Sequence, residues 1–102
     1  MTQSTFATGT RLNVHVQTSP LVGGSNNVLQ RVTFDRLDNA RVEVNGQPIT
    51  AGQTHTPPAN ATAVDFTVQR VTLGQTTTVR YTVVDGCGEW KSFVGGGTGA
   101  DF

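Results

Sequence analysis

The only cysteine, Cys87, stands between Gly86 and Gly88, and it is the first place to look for covalent chemistry. A thiol attacks as thiolate, which requires a base or a cation beside it. Neither histidine is local: His15 lies in an alternating apolar segment and His55 in a proline-containing loop. No Cys/His spacing suits zinc. The plainer reading of Cys87 is a small, mostly buried side chain at a tight corner, or a thiol that joins two copies when oxidised.

Carboxylates offer a second possibility. Asp35, Asp38, Asp65 and Asp85 carry the oxygen donors that Ca²⁺ prefers, but none falls in the D-x-D-x-D spacing of a loop chelator. Asp35, Asp38 and Asp85 read instead as turn residues, whose side chains bond their own backbone. The triplet Asn60-Ala61-Thr62 fits an N-glycosylation acceptor, a short pattern that arises by chance. No catalytic residue, metal site or cofactor is expected, since no set of polarised groups converges.

The sharper candidate is Glu89-Trp90-Lys91, which sets the only Trp and the only Lys side by side with an acid. An indole interleaved with polar side chains can present a platform to the face of a sugar ring. Trp90, Glu89 and Lys91 are therefore the candidate ligand-binding residues. The competing reading places Trp90 in the core with Tyr81 and Phe93. Only seven aromatic side chains are present (five Phe, one Tyr, one Trp), and a thin sandwich needs most of them inside.

The elements that must hold these residues are strands. Arg11 to Gln17 alternates, with Leu12, Val14 and Val16 on one face and Asn13, His15 and Gln17 on the other. Val28 to Phe34 predicts a second strand with Val28, Val32 and Phe34 inward, closed by turn chemistry at Asp35–Asn39. Ala40 to Val44 runs into Asn45-Gly46, a pair that accepts the positive φ of a two-residue hairpin. The return strand contains Pro48, which cannot donate a ladder hydrogen bond and so belongs at a sheet edge. Gly52 to Ala61 is a loop. Ala63 to Gln69, Thr76 to Val84 and Trp90 to Val94 complete seven strands, with Val64, Phe66, Val68, Val79, Tyr81 and Val83 inward.

Residues 1–9 read as a loose leader and 95–102 as a glycine-rich tail around a single domain. The expected fold is all-β: an antiparallel two-sheet sandwich of about seven strands with no significant helix. Seven basic and seven acidic side chains cancel, so neither nucleic acid nor a membrane surface finds a basic face to bind. No apolar run approaches the length of a membrane span. Charged residues make up only 14% of the chain while Thr is abundant, a balance that leans toward an extracellular bacterial β-domain. The opening Met-Thr-Gln-Ser-Thr lacks the charged and apolar regions of a signal peptide, so a secreted setting implies a domain excised from a longer protein.

The segments TTTVRYTVV (76–84) and RVEVNGQPI (41–49) resemble the penultimate strand and a central hairpin of bacterial immunoglobulin-like and fibronectin type III-like domains. DGCGEWKSFVGGG, followed shortly by Ala-Asp-Phe, resembles a tail seen on secreted multidomain bacterial proteins. The resemblance implies an immunoglobulin-like fold and an extracellular location, with a neighbouring domain, or a polysaccharide or cell surface, as partner. Antibody-type domains differ, because Cys87 has no second Cys and Trp90 follows it. Some immunoglobulin-like surface domains crosslink a first-strand Lys to Asn or Asp; Lys91 stands in the last strand instead.

The function expected on these grounds is a non-catalytic accessory module that spaces, stabilises or docks a neighbouring domain. Its alternative is a carbohydrate- or cell-surface-binding module using Trp90. Self-assembly through the edge strand after Asn45-Gly46 is a further expectation.

Overall fold

The computed structural model describes residues 2–21, 23–24 and 26–96. Nine strands follow in chain order: β1 (Thr2–Thr8), β2 (Arg11–Gln17), β3 (Arg31–Asp38), β4 (Ala40–Val44), β5 (Gln47–Ile49), β6 (Thr54–His55), β7 (Ala63–Arg70), β8 (Thr78–Asp85) and β9 (Gly88–Gly95). They form two antiparallel sheets, β1-β2-β7-β4-β5 and β6-β3-β8-β9. The described residues contain no helix, and hence none long and apolar enough to cross a membrane.

Period-2 alternation builds the core between the sheets. Leu12, Val14, Val16, Val42, Val44, Val64, Phe66 and Val68 come from the five-stranded sheet. Val32, Phe34, Val79, Tyr81, Val83 and Val94 come from the four-stranded one. Phe66 meets Phe34 edge-to-face at 5.1 Å and Tyr81 at 5.5 Å, so one ring of the first sheet is gripped by two of the second. Such pairs add about 0.5–1.5 kcal/mol each beyond the area they bury.

The Asn45-Gly46 hairpin is present as expected. Both residues take positive φ, 53° and 77°, and Val44 pairs Gln47 across the turn. Pro48 lies on β5, an edge of its sheet.

Several expectations are corrected. The loose leader is strand β1, paired along its whole length with β2 through a Gly9-Thr10 turn. With the two-residue β6, this raises the strand number from about seven to nine. The expected turn at Asp35–Asn39 is strand as far as Asp38, with an irregularity between Phe34 and Arg36 that leaves Asp35 out of register. Within Asp35–Asn39 only Asn39 takes the left-handed conformation, at φ 52°. Its amide donates to the Thr72 and Gln75 carbonyls and to the Thr77 hydroxyl, and its Oδ1 accepts the Thr72 N–H. Residues 28–30 lead into β3 rather than belonging to it: the Leu29 N–H bonds the Ala61 carbonyl and the Gln30 N–H that of Val84. Leu29, not Val28, is the buried one.

Both ends of the sandwich are tied by side chains. At one end the Thr18 hydroxyl donates to the Asn27 carbonyl at 2.6 Å, and buried Asn27 accepts the Gly86 N–H at 2.6 Å. At the other, buried Arg70 donates to Thr77, which donates to the Asn39 carbonyl. The tail expected from residue 95 starts as structure, with Gly95 in β9 and the Gly96 N–H on the Thr77 carbonyl at 2.7 Å. Residues 97–102 lie outside the described residues.

Candidate functional site

The β8–β9 corner is organised by Asp85. Its buried carboxylate accepts the Cys87 N–H at 2.8 Å through Oδ1 and the Trp90 indole N–H at 3.4 Å through Oδ2. Trp90 is half-buried, packed on the core and edge-on to Tyr81 at 6.3 Å. Along β9, Trp90 and Val94 turn toward the core, while Glu89, Lys91 and Phe93 are exposed. Strict alternation therefore splits the Glu89-Trp90-Lys91 triplet between two faces, and the three do not form one surface. Phe93, expected inside, is 57% exposed and lies under the Arg80 guanidinium.

Glu89 and Lys91 form a 3.8 Å pair with both side chains well exposed, an arrangement of little energetic weight. Lys91 also donates to the Thr82 hydroxyl at 3.0 Å, and Thr82 donates to Asp35 at 2.5 Å. With Thr33 bonded to Thr54, the outward face of the four-stranded sheet largely satisfies its own polar groups. The partners of Lys91 are a hydroxyl and a glutamate, not the Asn or Asp of a crosslink.

Cys87 is exposed rather than buried, because the Asp85-Gly86-Cys87-Gly88 corner projects past the end of the core. Its thiol meets the Asn27 amide at 3.5 Å. The two histidines are both on strands elsewhere, His15 in β2 and His55 in β6. Among the described residues no three of His, Cys, Asp and Glu gather into a metal-binding group.

The outward face of the five-stranded sheet is different in kind. Strand register lays out three cross-strand rows: Ser4–His15–Asp65, Phe6–Asn13–Thr67–Glu43 and Thr8–Arg11–Gln69–Arg41. An open groove of about 550 Å³ runs across them, lined by Phe6, Arg11, Asn13, His15, Glu43 and Asp65 among others. Phe6 is 68% exposed, the most exposed large apolar side chain among the described residues. His15 Nδ1 lies 2.7 Å from Asp65 Oδ1. A carboxylate can only accept there, so Nδ1 carries a proton.

The first row has the residue types of a hydrolytic triad, but its geometry is not that of one. Ser4 makes no hydrogen bond to His15, so the contact between nucleophile and base is missing. Phe6 lies in the stretch expected as a loose leader, residues 1–9, and so is not among the sequence candidates. The signal was present: β-forming Thr5-Phe6 stands ahead of a Gly9-Thr10 turn and the alternating segment at Arg11.

No family model, curated protein or solved structure matches the chain.

Proposed function

We propose that this chain is a non-catalytic, immunoglobulin-like accessory module of an extracellular bacterial protein, acting as a spacer that holds or docks a neighbouring domain. The observation that carries this reading is the placement of Thr2 and Gly96 at opposite ends of the sandwich. Thr2 pairs with Gln17, beside Ala63, at the end closed by Thr18, Asn27 and Gly86. Gly96 bonds Thr77 at the end closed by Arg70 and Asn39.

The body measures 46 × 22 × 21 Å. Five strands at about 4.8 Å spacing account for a width of roughly 24 Å, so the long direction follows the strands. Tension between Thr2 and Gly96 would then act along β1 and β9. Each is joined to its hairpin partner at the far end from the pull, β1 through Gly9-Thr10 and β9 through Gly86-Cys87. Antiparallel hydrogen bonds lie perpendicular to the strands, so such a pull shears the whole ladder at once instead of opening it bond by bond.

Strand order supports the immunoglobulin-like part of the reading. With β1, β2, β7 and β4 as A, B, E and D, and β3, β8 and β9 as C, F and G, the two sheets follow the constant-type arrangement. Single-molecule pulling tests the spacer role. Handles at Thr2 and Gly96 should give a rupture force well above that from handles at Thr78 and Gly96, which unzip β8 from β9. Equal forces in the two geometries would remove the mechanical basis for the spacer.

A further inference from the structure

We propose that the groove on the outward face of β1, β2, β7 and β4 is a binding site for a neutral carbohydrate chain, with the Phe6 ring as its stacking platform. A spacer needs none of these groups on its face, so the site adds a recognition role to the in-line one.

The first ground is the contrast between the two outward faces. On the four-stranded sheet Asp35, Thr82 and Lys91 are linked, as are Thr33 and Thr54, and the exposed Phe93 ring already has the Arg80 guanidinium over its face. On the five-stranded sheet, among the described residues, the side chains of Arg11, Asn13 and Glu43 have no hydrogen-bond or ion-pair partner, and Phe6 has no ring contact. Donors, acceptors and an exposed ring are thus left over around one recess.

The second ground is charge. The lining offers Arg11 against Glu43 and Asp65, with His15 bonded to Asp65 through Nδ1. Phosphate or sulfate would face two carboxylates, and a cation would face Arg11. What fits a mixed set of this kind is an uncharged ligand whose every polar group both donates and accepts. Hydroxyl groups do this. Glu43 accepts, Arg11 donates, and the Asn13 amide does both.

The third ground is the ring. A pyranose presents a face of C–H groups, and the negative π face of an aromatic ring attracts them. Phe6 sits in register with Asn13, one strand from the groove floor, and points away from the core that β1 helps to cover. A protein partner is a poorer match. A standard interface buries about 1,200–2,000 Å² around several apolar anchors, and this face has one.

The test is affinity electrophoresis of the full chain through gels containing hydroxyethylcellulose, xylan, galactomannan or mixed-linkage glucan, with polygalacturonate as the charged control. Phe6→Ala, Asn13→Ala and Trp90→Phe are run beside the parent chain. Retardation is expected on at least one neutral gel. Phe6→Ala should weaken it by about tenfold, the loss of one stacked ring, and Asn13→Ala should also weaken it. The thermal midpoint of Phe6→Ala should match the parent, because the exposed ring supports no core contact; if it does not, Phe6→Leu is the variant to score. Trp90→Phe should bind as the parent does. No retardation on any neutral gel overturns the proposal. So does retardation that Phe6→Ala leaves intact, or that Trp90→Phe abolishes, or that appears only with polygalacturonate.

Discussion

The Tyr81 phenol donates a hydrogen bond to Oε1 of Gln3, which joins β8 of one sheet to β1 of the other. Ser92 donates to the same oxygen at 3.3 Å. One glutamine on the first strand therefore gathers two hydroxyls from the opposite sheet and closes the side of the sandwich where β1 and β9 are both edges.

Burial pushes the Tyr81 phenol above its ordinary value, with the Ser92 hydrogen bond acting in the opposite direction. Below the unfolded value of about 10, both states hold the proton and Tyr81 gives no pH dependence. Above it the unfolded chain releases the proton first, so stability should fall as pH rises toward the raised native value. Denaturant midpoints measured on either side of about pH 10 should show this slope. Tyr81→Phe should flatten it while costing about 1 kcal/mol at neutral pH for the lost hydrogen bond. An equal slope in both proteins would place the titration elsewhere.

Gly95 holds a position that no side chain can enter. Its φ is +116°, and an added Cβ would lie 2.1 Å from the Thr77 carbonyl oxygen, a backbone atom. Gly95→Ala should lose about 2–4 kcal/mol by parting the end of β9 from β8. At Gly46, where φ is also positive but the space is open, the same change should cost only about 1 kcal/mol. Chemical denaturation of the pair checks the difference.

Asn39 combines a left-handed backbone with four side-chain hydrogen bonds to the β7–β8 loop and to Thr77. Asn39→Ala forfeits both and should destabilise by about 2–4 kcal/mol. Asn39→Gly recovers the backbone conformation and should lose less. The ranking parent, Gly, Ala in unfolding free energy is the expected outcome, and Ala above Gly would contradict it.

Cys87 is exposed at the β8–β9 corner. Iodoacetamide should alkylate it fully in native buffer, without denaturant. Cys87→Ser should shift stability by no more than about 0.5 kcal/mol, as befits a surface site. Protection until unfolding would show the thiol to be covered.

The strand faces were legible in the chain because alternation is a local property. Leu12-Val14-Val16, Val64-Phe66-Val68 and Val79-Tyr81-Val83 point inward wherever their strands are placed, and Asn45-Gly46 fixes its own hairpin. Pro48 named an edge for the same reason, since its missing N–H is written in the residue. Residues 1–9 carried no such pattern. Gln3-Ser4-Thr5 is polar on both faces, so the cue is confined to Thr5-Phe6 ahead of the Gly9-Thr10 turn, and pairing with β2 makes the whole segment a strand.

The candidate sites depended on more than local pattern. Trp90, Glu89 and Lys91 are neighbours in sequence, yet alternation sends the indole inward and the charges outward. Phe6, Asn13, Glu43 and Asp65 are scattered over sixty positions and meet because β1, β2, β7 and β4 lie side by side. By itself, the sequence determined an all-β chain, the inward face of its main strands and one tight hairpin, all set by neighbours two residues apart. Strand order decided which residues share a surface, because hydrogen-bonded pairing between distant segments brings together what spacing along the chain keeps apart.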